Sequence, residues 1–114
     1  MAAFLSSLNV NDSLIQFIKA QQMFFVATAA EDGRINLSPK GLDSVRVEDK
    51  QHILWVTYTG SGSETAAHLL SQNRMTMMFC SFLRTPLILR LYGMAKVYYK
   101  GDSEWDGLLA DFDH

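Results

Sequence analysis

The sequence is short of cysteine, of proline and of charge, and each shortage excludes something. Its 114 residues include one cysteine, Cys80, and two prolines. One cysteine permits no intramolecular disulfide and no cysteine-rich zinc site. Cys80 lies in the apolar run Met75 to Phe82, where a buried thiol is expected rather than a reactive one. Charged residues make up 19% of the chain against 48% apolar, below the usual charged share of about 25%. Such a composition excludes a disordered tail or a solvated linker. On so small a domain it also implies that apolar surface is buried against a partner, or that covering chain lies beyond this sequence. Ten basic and twelve acidic residues leave a net charge of −2, with no basic face suited to nucleic acid.

Long hydrophobic runs are missing too. The longest uncharged apolar stretch, Met23 to Ala30, falls far short of the roughly 18 residues a membrane-spanning helix needs. The N-terminus has no basic segment leading into an apolar core, so it does not read as a secretory signal. The expected compartment is the cytoplasm, and the length fits one domain over residues 1–114.

What is present reads mostly as strands. Asn11, Asp12 and Ser13 are helix-capping residues, and Leu14, Phe17 and Ile18 then recur at helical spacing, predicting a helix over 11–22. Met23 to Ala29 is predicted as a strand, and Glu31-Asp32-Gly33-Arg34 as a hairpin turn into a returning strand over 35–38. Pro39 cannot donate to a ladder, which places that strand at an edge or ends it. A short strand over 44–48, a strong one over 53–58, a helix over 64–72 and a strand over 75–82 follow. The run 75–82 is almost continuously apolar, as for a strand covered on both faces. A long alternating strand spans 87–99, with Gly93 expected to mark a bend or bulge. Trp105, Leu108, Leu109 and Phe112 predict a last helix begun within 103–112. A barrel then lacks its closing strand, so continuation beyond His114 is expected. About six strands joined by hairpins, with flanking helices, indicate a mainly antiparallel β protein, most simply a small barrel.

Two segments suit a phosphate. Tyr58-Thr59-Gly60-Ser61-Gly62-Ser63-Glu64-Thr65 joins a strand end to a helix start, where free N–H groups, the helix dipole and several hydroxyls converge. The plainer alternative is a loop with Ser63 as an N-cap, and Gly-Lys-Thr of a P-loop is absent. In Asn36-Leu37-Ser38-Pro39-Lys40-Gly41, Lys40 offers a charge partner and Gly41 allows close approach, against the alternative of a solvated surface lysine. His52, His68 and His114 lack metal-ligand spacing, and no serine elbow is present.

These residues carry a resemblance. Phe24-Phe25-Val26-Ala27-Thr28, Ile35 to Gly41, Trp55 to Thr59, Ser63 leading into Ala67-His68-Leu69, Asn73-Arg74 and Leu91-Tyr92-Gly93 together resemble the pyridoxamine 5′-phosphate oxidase-like family. The match runs nearly end to end, in a branch apart from the oxidase proper. It implies an antiparallel split β-barrel of the FMN-binding type and a flavin-dependent oxidoreductase acting on a small molecule. It also implies a homodimer with FMN at the subunit interface. Carried over by position, the cofactor-binding residues would be Asn36, Ser38, Lys40, Tyr58, Thr59, Ser61, Ser63 and Thr65, with Lys40 as the phosphate cation. A non-enzymatic barrel holding haem or another flavin-like ligand, and a cleft made vestigial by Glu64, are the competing readings.

Two departures set this chain apart. Where the oxidases follow the loop serine with Arg-Lys, it has Glu64-Thr65, leaving Arg34 and Arg46 as candidate substitutes. Charge-assisted hydrogen bonds are worth about 1.5–3 kcal/mol each, so the exchange bears directly on phosphate binding. Downstream, Ser103-Glu104-Trp105-Asp106-Gly107 stands where the oxidases contact their vitamin phosphate, which argues against oxidation of pyridoxamine phosphate itself.

Overall fold

A computed structural model describes residues 1–41, 43–57, 63–82, 86–110 and 112. Strand β1 (Ala2–Ser6) is followed by helix α1 (Asp12–Ala20), the hairpin of β2 (Met23–Ala29) and β3 (Ile35–Gly41), and the short β4 (Val45–Val47). Then come β5 (Ile53–Val56), α2 (Ser63–Ser71), β6 (Arg74–Ser81), β7 (Leu87–Tyr98) and α3 (Trp105–Leu108). Local chemistry explains several boundaries. The Asn11 side chain accepts the Leu14 N–H at 2.9 Å and so caps α1, which buries Ile18. The β2–β3 turn uses Gly33 at a φ of +115°, a conformation that costs other residues energy. Pairing then runs from Ala29–Ile35 to Met23–Gly41, straight through Pro39. Proline is tolerated there because β3 is an edge strand.

The sheet order is β3-β2-β6-β7-β1-β5-β4, and every pairing is antiparallel. β7 carries the sheet from one half to the other. It pairs with β6 over Leu87 to Met94, then with β1 over Met94 to Tyr98. Four strands separate β3 from β5 in the sheet, yet Lys40 on β3 sits with its Nζ 5.0 Å above the Trp55 ring on β5. The sheet is therefore rolled, with β3 and β4 as its unjoined edges: a split barrel. Inside lie Ala3, Leu5, Val26, Ile53, Trp55, Met77, Phe79 and Leu91, with Ile18 and Leu69 brought in by the helices. A second cluster forms on the other face of β1 and β5, where Leu54 and Val56 pack against Trp105, Leu109 and Phe112.

The architecture expected from the sequence holds, with corrections. The described residues contain seven strands and three helices, and the extra strand is β1. Its seven-residue neighbourhood, Met1 to Ser7, is small and apolar without clear alternation, because both of its faces are buried. β6 is covered on one face only: Met75, Met77 and Phe79 are buried, whereas Thr76, Met78 and Cys80 are half-exposed. Cys80 has outward parity and is not a buried thiol. No bulge occurs at Gly93, since the register is unbroken on both sides. A Cβ there would lie 2.5 Å from the Ser6 carbonyl oxygen, so close approach of β1 is what the glycine serves.

Candidate functional site

Strand alternation sorts β3 into two faces. Ile35, Leu37 and Pro39 point outward, and Asn36, Ser38 and Lys40 lie opposite the buried Thr28, Val26 and Phe24 on the inward side. α2 closes this region. Thr65, Ala66, His68 and Leu69 form its buried side, at spacings of one helical turn. Two hydrogen bonds lock it to the hairpin. Asn36 Nδ2 donates to Thr65 Oγ1 at 2.9 Å, and Thr28 Oγ1 shares a bond with His68 Nδ1 at 3.1 Å.

Between these anchors lies an unsatisfied group. Ser38 Oγ is buried and has no hydrogen-bond partner among the described residues. A buried hydroxyl without a partner costs about 1–3 kcal/mol, so a site that retains one is suited to a ligand atom. Lys40 is half-buried next along the strand. Its ammonium has the Trp55 ring beneath it and no carboxylate beside it among the described residues. Burial lowers its pKa below the usual lysine value.

The candidate substitutes for the absent Arg-Lys pair separate clearly. Arg34 forms an ion pair with Glu64 at 3.6 Å, with 85% of its side chain exposed, and so stands at the start of α2. Arg46 is committed elsewhere: it pairs with Asp43, donates to the Val45 carbonyl at 2.9 Å and lies 4.2 Å above the Phe112 ring. Of the residues expected from sequence, Asn36, Ser38, Lys40 and Thr65 come together, and Ser63 is the first residue of α2. Tyr58, Thr59 and Ser61 lie outside the described residues. Sequence reasoning missed Thr28, His68 and Trp55 as supports. The hairpin register, which sets Thr28 opposite Asn36, is the signal that could have found the first. Among the described residues no three His, Cys, Asp or Glu side chains gather as a metal site, and no helix is long and apolar enough to cross a membrane.

Residues 10–113 match the family model described as pyridoxamine 5′-phosphate oxidase. The chain belongs to that family. Its members generally bind flavin and are often dimeric. Over 102 residues the chain is 42% identical to "Pyridoxamine 5′-phosphate oxidase family protein ustO" of Aspergillus flavus, covering 87% of this chain and 41% of that protein. It thus spans less than half the length of that relative. No solved structure matches the chain significantly. For the family's flavin, the donor set on β3 and α2 is chemically apt: an amide, two hydroxyls and an ammonium with no carboxylate partner among the described residues.

Proposed function

We propose that this family member binds FMN and acts as an FMN-dependent oxidoreductase on a small-molecule substrate. The observation that carries the reading is the buried Ser38 Oγ, without a hydrogen-bond partner among the described residues and set between the Asn36–Thr65 bond and the Lys40 ammonium. Asn36, Ser38 and Thr65 would hold the ribityl chain and phosphate together with Tyr58, Thr59, Ser61 and Ser63. Lys40 would neutralise phosphate charge, with Arg34, tethered by Glu64, at the rim. A bound flavin would supply the redox chemistry, and the protein would orient it and exclude water. The outward face of the sheet supports a homodimer with the cofactor at the subunit boundary. Ile35 is 72% exposed and Leu37 65% on β3, and Tyr92 is 66% exposed on β7, with β2 and β6 between them. Large apolar side chains exposed on one face of a sheet favour an interaction site there.

The purified protein should carry flavin absorption, and mass spectrometry of the released ligand should give FMN. Lys40→Ala should lose FMN while binding riboflavin, which lacks the phosphate, nearly as the parent does. Colourless protein that gives no signal on titration with FMN sinks the proposal, and a Soret band replaces it with a haem-binding role.

A further inference from the structure

Pairing between β2 and β6 stops at Ala27–Thr76, although β2 runs on to Ala29 and β6 begins at Arg74. Where the ladder ends there is a cavity of about 330 Å³, lined by Ala27, Ala29, Ile35, Arg74, Thr76 and Tyr92 among others. These six have outward parity, opposite to Asn36, Ser38 and Lys40, and Thr28, Met75 and Gly93 complete the lining from the inward side. Its lining is mostly apolar, with the Tyr92 ring exposed on one wall and a single cation, Arg74. Arg74 donates to the Gln72 side chain and has no carboxylate partner among the described residues. None is available nearby in the sheet, because β2, β3, β6 and β7 contain no Asp or Glu.

We propose that this cavity is a binding subsite for a small monoanionic carboxylate with a flat ring body. The carboxylate lies on the Arg74 guanidinium and the ring lies against Tyr92. The planar fork of arginine matches a carboxylate in two parallel hydrogen bonds. One arginine neutralises one charge, and a phosphate dianion would bring a second charge into apolar surroundings without a partner. The volume sits at the low end of ligand cavities, roughly 300–1,000 Å³, which selects a small molecule over a nucleotide. Tyr92 offers a ring face for offset stacking, and Thr76 a hydroxyl for a ring substituent.

Benzoate, benzyl alcohol and inorganic phosphate are the probes, titrated into ¹⁵N-labelled protein in flavin-free and FMN-loaded forms. Benzoate should give saturable amide shifts at Ala27, Ala29 and Thr76 in both forms, so the result stands whether or not the flavin proposal does. Benzyl alcohol should bind about tenfold more weakly or worse, as should benzoate to Arg74→Gln, because a charge-assisted pair is lost. Arg74→Lys should recover part of the affinity. If Arg74→Gln fails to fold, Tyr92→Ala serves in its place, with a severalfold loss expected. Shifts absent from these amides, unchanged affinity in the folded variant, or phosphate binding there more tightly than benzoate would each overturn the proposal.

Discussion

Ser38 and Lys40 each hold a group that the fold by itself disfavours. The Ser38 hydroxyl is buried without a partner among the described residues, so its removal should relieve the folded state when no ligand is bound. Ser38→Ala is expected to leave flavin-free stability unchanged or raise it by about 1 kcal/mol, while weakening FMN retention. Urea unfolding of both forms reads the two effects separately; a clear loss of stability in the flavin-free variant would show that the hydroxyl has a structural partner. Lys40 follows similar logic with charge. Burial lowers its pKa, so the ammonium is less favourable in the fold than in water. The penalty is present in full at neutral pH. It is relieved only as pH rises through the folded value towards the ordinary lysine value of 10.5. A bound phosphate would reverse that bias. At this scale the sequence was informative about which residue types gather, and Asn36, Ser38, Lys40 and Thr65 do gather. It was silent on Trp55 and His68, whose roles come from strands and helices distant along the chain.

Among the elements, β7 has the most demanding position, because it serves both halves of the sheet. Gly93 lies just before the residue where pairing passes from β6 to β1, and the Ser6 carbonyl and the Leu5 side chain occupy the space a Cβ would need. Backbone cannot yield as a flexible side-chain end can. Gly93→Ala should therefore destabilise the protein by roughly 1–3 kcal/mol through overpacking. The urea midpoint measures this, and a midpoint equal to that of the parent would mean that β1 can shift aside. The alternation of β7 was plain in the sequence. The reason for its glycine was not, because β1, the strand that approaches it, shows no period of two. Likewise the hairpin of β2 and β3 could be read from Asp32-Gly33, whereas the end of the β2–β6 ladder left no local mark.

For the whole molecule, the low charge fraction finds a location. The outward face of β2, β3, β6 and β7 is free of carboxylates and rich in exposed apolar groups. If this face joins two copies, a charge placed in it should separate them. Leu37→Asp, on an edge strand and already 65% exposed, is expected to turn a dimer into a monomer with an unchanged circular dichroism spectrum. Sedimentation equilibrium decides the matter: a monomeric parent, or a variant that stays dimeric, would exclude this face as the joint. The benzoate subsite shares Ile35 and Tyr92 with that face, so the mass of the species used in each titration belongs with that measurement.

Local sequence determined the elements whose signals are short-range. Capping and helical spacing marked α1 and α2, the Asp-Gly turn marked the hairpin, and alternation marked β7. Tertiary structure alone decided the rest. Rolling the sheet brings Lys40 over Trp55 across four intervening strands, and docking α2 pairs His68 with Thr28 and Thr65 with Asn36. Cys80 was expected inside and lies at the outer face, because burial on a strand depends on which face a neighbour covers. Composition recorded that apolar surface was in excess, and only the fold assigned it to one side of the sheet.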